Sequence, residues 1–206
     1  QAANGILALS EEELQKSPVR FLVSGWAFYP DALLTPEEIQ DESHYMRYLS
    51  IGEQTNFSSP ANPSPYGCGT YQMTFFLPER KETYALEIPE VFSAYNLYLD
   101  HDLSLQMGEP AQGKPLVQNR MVTFHGGKPV TLTIAVSNYD HFYGGIVYPP
   151  AFGTMLAVNT TRGIRFAFCL FSCTVTFVCA LLSFYFSRRM KQKNTFLFGL
   201  ICLAMC

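Results

Sequence analysis

Residues 138–148 combine the side chain types that proteins use to bind sugars. The segment reads NYDHFYGGIVY and holds several aromatic rings among amide, carboxylate and imidazole groups. Aromatic faces cover the apolar C–H side of a pyranose, and the polar groups hydrogen-bond its hydroxyls. The sequence therefore predicts a small-molecule site, with a saccharide as the favoured ligand. Its predicted residues are Asn138, Tyr139, Asp140, His141, Tyr143 and Tyr148.

Three further residues extend this hypothesis. Gly144 and Gly145 would allow the backbone to approach a ligand closely, because glycine has no Cβ. Tyr66 lies beside Pro65 in a second polar stretch and is included as an exposed ring. A structural alternative stays open, in which Asn138 caps backbone groups and the tyrosines pack on the edge of the domain.

Alternating apolar and polar residues predict that β-strands position these side chains. Tyr71, Met73, Phe75 and Leu77 fall on one face of a strand, as the period of two requires. The predicted strands are 19–23, 70–77, 84–88, 94–99, 103–105, 120–124 and 130–137, with Asp100, His101 and Asp102 turning a hairpin. Many short strands with Gly and Pro between them indicate a mainly β fold, a two-sheet sandwich or jelly roll.

Some residues of the polar part are interpreted as structural rather than functional. A single Trp beside apolar neighbours usually packs inward. The structural set is Trp26, Gly69, Tyr71, Tyr95 and Gly145. One helix is predicted between Thr35 and Tyr48, because an N-capping Thr is followed by Pro and two acids. The segment 56–70, rich in Pro, Ser, Gly and Asn, is predicted to be a long loop.

The last part of the chain is apolar enough to enter a membrane. Residues 166–186 carry no charge and would form a helix of roughly 31 Å, which matches a hydrocarbon core of roughly 30 Å. A second apolar run, 195–206, is only long enough to begin another span, so the chain is interpreted as a fragment. The predicted organisation is a sandwich at 1–160, a first span at 164–187, a basic loop at 188–194 and the start of a second span at 195–206.

Charge predicts the orientation of these segments. All 17 acidic residues precede position 141, and only basic charges follow it. The basic loop contains Arg188, Arg189, Lys191 and Lys193, and such loops stay on the cytoplasmic side. Residues 1–163 are therefore predicted to be extracytoplasmic, on a multi-pass protein of the cell (inner) membrane. Export requires a signal, which is expected to have been removed; a reverse signal anchor formed by the first span is the alternative.

Cysteine, histidine and acidic residues do not form the spacing of a cofactor site. Of six cysteines, only Cys68 lies in the polar part, so the sandwich is predicted to have no internal disulfide. No metal and no cofactor are predicted, although Asp100 and Asp102 leave a structural calcium site as an alternative. The charge distribution gives no basic patch for nucleic acid. The predicted partners are a small molecule and the lipid bilayer, with a homodimer left open.

Five segments in sequence order carry a specific resemblance. They are FLVSGWAFYPDALLTPEE (Phe21–Glu38), YGCGTYQMTFFLPE (Tyr66–Glu79), YALEIPEVFSAYNLYLD (Tyr84–Asp100), MGEP (Met107–Pro110) and LTIAVSNYDHFYGGIVYPPAFGT (Leu132–Thr154). Together they resemble the extracellular domain of the bacterial seven-transmembrane receptors with diverse intracellular signalling modules. One departure is the hairpin turn at 100–102, where an Asn-Gly type pair would be usual.

The resemblance implies a jelly roll, similar to galactose-binding and other carbohydrate-binding domains, that senses a small molecule outside the cell. It also implies a seven-helix bundle and a cytoplasmic output module, which is a histidine kinase, diguanylate cyclase or phosphatase. None of these output modules lies within these residues. Two alternatives remain. One is a membrane-tethered module that binds carbohydrate or protein without signalling, and the other is a glycosidase-related enzyme domain. No paired carboxylates are evident, so this segment is not expected to be an enzyme.

Overall fold

The computed structural model describes residues 2–40, 44–52, 64–79, 83–191 and 193–205. The strands of this part are β1 (Ile6–Ala8), β2 (Val19–Phe21), β3 (Trp26–Pro30), β4 (Arg47–Leu49), β5 (Gly67–Phe76), β6 (Tyr84–Ile88), β7 (Ala94–Leu99), β8 (Asp102–Met107), β9 (Arg120–Phe124), β10 (Val130–Asn138) and β11 (Ala151–Thr154). Its α-helices are α1 (Glu11–Lys16), α2 (Met155–Met190) and α3 (Lys193–Ala204).

The strands form two sheets, which confirms the predicted mainly β sandwich. One sheet has the order β4-β3-β5-β10-β7-β8, with β1 added in parallel to β5, and the other has the order β2-β11-β6-β9. All other pairings are antiparallel, and β10 lies between β5 and β7 over nearly its whole length. The end of β10, the start of β5 and the start of β7 therefore meet at one end of the sandwich.

Aromatic rings fill the space between the sheets. Phe75 of β5 lies 5.2 Å from Phe152 of β11 and 5.5 Å from Phe124 of β9, measured between ring centroids. Tyr84 stacks on Phe152 at 5.8 Å. Because these residues come from both sheets and are almost fully buried, they hold the sheets together by apolar burial.

Trp26 and Tyr71 form a second part of the core, as the sequence predicted. Trp26 is fully buried, and its Nε1–H donates to the Leu22 carbonyl at 2.9 Å. Its ring meets that of Tyr71 edge to face at 6.2 Å. Burial raises the pKa of Tyr71 to about 12, against the opposing effect of a hydrogen bond with the Ile146 backbone. Gly69 and Tyr95 are also buried, in β5 and β7.

The predicted helix between Thr35 and Tyr48 is wrong. The Thr35 cap does form, since Glu38 N–H donates to Thr35 Oγ1 at 3.4 Å and Thr35 N–H donates to Glu38 Oε2 at 2.8 Å, but only a 3₁₀ turn at Glu38–Gln40 follows. Residues 47–49 instead form β4, which pairs with β3. The approach to the turn is tied to β5, because Leu34 N–H donates to Thr70 Oγ1 at 2.9 Å. Residues 41–43 lie outside the described part.

Two other local predictions need correction. The helix α1 was missed; it is short and starts with a capping box between Ser10 and Glu13. The predicted loop 56–70 ends earlier than expected, because residues 67–70 already belong to β5 and pair with β10. Residues 53–63, which contain the first part of that loop, lie outside the described part.

The chain divides into two units, Gln1–Val158 and Asn159–Cys206. Among the described residues, one helix, α2, is long and apolar enough to cross a membrane, and it contains the predicted span 166–186. The helix begins at Met155, so the residues before the predicted span 164–187 are already helical. Arg188 and Arg189 lie in its last turn, and the turn before α3 includes Lys191.

Candidate ligand-binding surfaces

Asn138 organises the predicted binding segment but has no free hydrogen-bonding group to offer a ligand. It is buried at the end of β10, and its Nδ2 donates to the Pro65 carbonyl at 2.8 Å and to the His141 carbonyl at 2.6 Å. Its Oδ1 accepts from His141 N–H at 3.1 Å. The capping alternative is therefore correct for Asn138. The contact with Pro65 also brings the neighbouring residue Tyr66 to this end of the sandwich.

Four rings form the centre of this end, and we call them the aromatic surface: Phe92, His141, Phe142 and Tyr143. The His141 ring stacks on Phe92 with centroids 4.7 Å apart, and Tyr143 lies 5.8 Å from His141. Phe142 meets Tyr143 edge to face at 5.1 Å. Phe142 is 74% exposed and Tyr143 is 44% exposed, so both rings are accessible from solvent.

The ring of Tyr139 packs against a neighbouring loop, the one that contains Gly113. A Cβ on Gly113 would lie 2.0 Å from Tyr139 Cδ2, so the tyrosine ring packs directly over that glycine. The same loop is fixed to β10, because Ser137 Oγ donates to the Pro110 carbonyl at 2.6 Å. Half of Tyr139 stays exposed.

The remaining predicted residues have different positions. Asp140 and Tyr66 are exposed at the same end of the sandwich. Tyr148 is exposed too, but within the described ranges it makes no ring contact with the aromatic surface. Gly144 and Gly145 are buried, which does not fit a close approach of their backbone to a ligand but agrees with the structural role predicted for Gly145. Gly145 N–H donates to Ser93 Oγ at 3.2 Å, which ties the loop to the start of β7.

A concave site lies at the opposite end of the sandwich, and sequence reasoning missed it. It has a volume of about 600 Å³ between the β7–β8 turn, the β9–β10 turn and the end of β5. Its floor is apolar and includes Leu99 and Phe124, whereas its rim is charged. The charged and polar lining residues are Glu79, Asp100, Asp102, Ser104, His125 and Lys128. We call it the turn cleft.

Backbone contacts define the shape of the turn cleft. Gly127 has φ +90°, and its N–H donates to the Leu77 carbonyl at 3.0 Å, which holds the β9–β10 turn against the end of β5. Asp100 Oδ1 accepts from Thr131 N–H at 2.8 Å, so one carboxylate oxygen is used for structure. The sequence shows that both turns are polar. It does not show that they lie close together, because their proximity depends on β10 lying beside β7.

The titratable groups of the described residues bear on two kinds of chemistry, a metal-binding cluster and an activated thiol. No cluster of His, Cys, Asp and Glu that could hold a metal ion occurs within residues 2–40, 44–52, 64–79, 83–191 and 193–205. The calcium alternative at Asp100 and Asp102 therefore gains no support. Burial raises the pKa of the Cys68 thiol, with a further contribution from Asp31, and a raised pKa opposes thiolate formation.

Comparison with known proteins finds similarity in structure alone. No family model and no curated protein matches the sequence. A glycosyl hydrolase family 2 member from Bacteroides cellulosilyticus DSM 14838 aligns with a TM-score of 0.51 at 12% identity, over 66% of this chain and 20% of that chain. A second structure of a family 2 member from Bacteroides cellulosilyticus gives a TM-score of 0.50 at 11% identity, again over 66% of this chain and 20% of that chain.

A beta-glucuronidase from Ruminococcus gnavus aligns with a TM-score of 0.47 at 14% identity, over 66% of this chain and 28% of that chain. The chain thus spans between a fifth and a third of the length of these proteins. At such identities the family 2 structures establish the fold alone, a β-sandwich like one part of those proteins.

Proposed function

We propose that this chain is the extracytoplasmic ligand-binding part of a bacterial membrane receptor, and that its ligand is a saccharide. The observation that carries the proposal is the aromatic surface, because exposed, mutually packed rings are the main requirement for stacking on a sugar. A sandwich similar in fold to part of the family 2 glycosyl hydrolases supports it. In this proposal the sandwich is a jelly roll of the galactose-binding type.

Each residue of the surface has a defined task in the proposal. Tyr143 covers the apolar face of the sugar ring, and Phe142, whose ring plane lies at 75° to that of Tyr143, borders it. Phe92 and His141 pack against Tyr143. Asp140 accepts hydrogen bonds from sugar hydroxyls, with the exposed hydroxyls of Tyr66 and Tyr139 at the border. Asn138 acts indirectly, because it fixes the loop from which these side chains project.

The receptor part of the proposal rests on the resemblance to the seven-transmembrane receptors and on α2. The apolar helix starts directly after β11, so a change in the sandwich has a short covalent route to the membrane. We propose a multi-pass inner-membrane protein whose output module is a separate cytoplasmic domain. A tethered saccharide-binding module without output would use the same aromatic surface and differs only in lacking that module.

We propose further that this segment binds its ligand without cleaving it. Glycoside hydrolysis needs two converging carboxyl groups, and at the aromatic surface Asp140 is the sole carboxylate of segment 138–148. The turn cleft contains three carboxylates, Glu79, Asp100 and Asp102, of which Asp100 is engaged by the Thr131 backbone. Incubation of the full chain with chromogenic glycosides should give no release of chromophore above background, and release that depends on Asp102 would overturn this part of the proposal.

Replacing Tyr143 with alanine should weaken saccharide binding about tenfold, because one stacking face is lost. The measurement is a thermal-shift screen of the full chain in detergent against mono- and oligosaccharides. A ligand at 100 times its Kd should add about 2.7 kcal/mol to the free energy of unfolding. Phe142→Ala and Asp140→Ala should also reduce the shift.

Tyr148→Ala is the matched control, since Tyr148 is exposed to a similar degree but lies outside the ring contacts. The control should keep the wild-type shift. An equal shift in wild type and in Asp140→Ala/Tyr143→Ala would contradict the assignment of the site. A shift that is lost in Asp102→Asn/Lys128→Gln instead would place the ligand in the turn cleft.

A further inference from the structure

The turn between α2 and α3 concentrates positive charge that no acidic residue balances. Arg188 and Arg189 end α2, Lys191 lies in the turn and Lys193 starts α3. All four side chains are exposed, and the sequence contains no Asp or Glu after Asp140. A cluster of exposed cations raises the local concentration of anions around it, and no anion is available within the two helices.

The same turn lies beside a groove between the two helices. Phe184 of α2 and Phe196 of α3 are in contact, with centroids 5.4 Å apart. A Cβ on Gly199 would lie 2.8 Å from Phe184 Cε1, so glycine permits this close packing. The groove has a volume of about 750 Å³ and is lined by Leu181, Phe184, Tyr185, Arg188, Arg189 and Phe196.

A second groove adjoins the first, since Arg188 and Phe196 line both. It has a volume of about 490 Å³, and its other lining residues are Ser187, Lys191, Lys193 and Leu197. Each groove thus joins an apolar wall to a cationic rim. Leu181 and Tyr185 are more than half exposed on the apolar side. This distribution matches a molecule with an anionic head and a hydrocarbon chain.

We infer that these grooves bind an anionic phospholipid. Its phosphodiester would lie between the guanidinium groups of Arg188 and Arg189, which suit phosphate because they donate paired hydrogen bonds. Its acyl chain would follow Leu181, Phe184 and Phe196 along the helices. Basic pockets between membrane helices on the cytoplasmic side recognise lipid headgroups in this manner. The inference rests on the membrane insertion of the proposed function and not on its saccharide ligand.

Neutralising the two arginines should remove the preference for anionic lipid. The full chain is reconstituted in nanodiscs of phosphatidylcholine with a minor fraction of phosphatidylglycerol, then extracted, and the retained lipids are counted by native mass spectrometry. The enrichment of phosphatidylglycerol should fall at least about fivefold in Arg188→Gln/Arg189→Gln, as expected for loss of cations at a lipid headgroup. Arg162→Gln/Arg165→Gln removes two charges from the other end of α2 and should keep the wild-type enrichment.

Leu181→Trp distinguishes a groove from a merely charged surface. It fills the apolar wall without altering any charge, and it should reduce the retained phosphatidylglycerol as strongly as the arginine variant. Wild-type retention in either groove variant, or an equal loss in Arg162→Gln/Arg165→Gln, would overturn the inference. Displacement of the lipid by inorganic phosphate at equal concentration would also overturn it, because the ligand would then be a free anion.

Protease protection of the nanodisc sample separates this test from the proposed function. A chain that does not insert into the bilayer contradicts both the lipid inference and the membrane part of the proposed function, and the protection assay detects that case directly. A chain that inserts and retains phosphatidylglycerol but gives no saccharide shift supports the lipid site and contradicts the saccharide proposal.

Discussion

Replacing Trp26 with alanine is expected to lower the free energy of unfolding of the sandwich by about 4 kcal/mol. The side chain is fully buried, packs edge to face on Tyr71 and donates a hydrogen bond to the Leu22 carbonyl. Alanine would leave a cavity between β3 and β5 and an unpaired carbonyl. Differential scanning calorimetry of the full chain in detergent measures the effect.

Two variants control for the chemistry of the change. Phe21→Ala removes an aromatic ring that is 58% exposed and should cost less than about 1 kcal/mol. Trp26→Phe keeps an aromatic ring but loses the hydrogen bond from Nε1, so its loss of stability should lie between those of Phe21→Ala and Trp26→Ala. If Trp26→Ala unfolded within 1 kcal/mol of wild type, the core described for this end of the sandwich would be wrong.

Raising the pH from 9 to 11 should lower the free energy of unfolding by roughly 2.5 kcal/mol through two buried tyrosines. Burial raises the pKa of both Tyr71 and Tyr95 to about 12, from an ordinary value of 10.0. The unfolded chain therefore releases these protons first as the pH rises. Stability from this source is complete below pH 10 and is lost as the pH rises towards 12.

Chemical unfolding followed by the fluorescence of Trp26, the single tryptophan, provides the measurement. Tyr95→Phe should remove about half of the contribution of the two tyrosines, and Tyr71→Phe/Tyr95→Phe should remove all of it, leaving only the effects of Cys68 and Tyr29, whose pKa values are also raised by burial. Tyr95→Phe should itself cost little, because the buried Tyr95 hydroxyl has no hydrogen-bond partner among the described residues. Tyr139→Phe, at an exposed tyrosine, should leave the pH dependence unchanged. If the double variant lost as much stability between pH 9 and pH 11 as the wild type does, the account would be contradicted.

The strands β2 and β5 to β10 were predicted from alternating residue types, whereas β1, β3, β4 and β11 were missed. In β5, Tyr71, Met73 and Phe75 are all buried, so the period of two is visible in the residue types. Pairing was not predictable, because the position of β10 between β5 and β7 depends on residues far apart in the chain. The false helix at 35–48 has the same origin, since the pairing of β4 with β3 overrides a correct capping signal.

The candidate site was predicted in part for a related reason. His141 and Tyr143 lie in one segment, and their types indicated a binding surface. Phe92, on which His141 stacks, comes from the approach to β7 and carries no signal beyond an apolar residue near a strand. Asn138 and the Gly145 backbone are held by partners just before β5 and β7, the Pro65 carbonyl and the Ser93 hydroxyl, which no local pattern records. The turn cleft was missed for that reason too.

Cysteine labelling of intact cells tests the central claim, a sandwich outside the membrane joined to a basic turn inside it. In a background without the six native cysteines, Lys114→Cys reports on the loop before β9 and Lys191→Cys on the turn after α2. The account predicts that a membrane-impermeant maleimide labels Lys114→Cys in intact cells and labels Lys191→Cys only after permeabilisation. Labelling of Lys191→Cys alone in intact cells, or of Lys114→Cys only after permeabilisation, would contradict it.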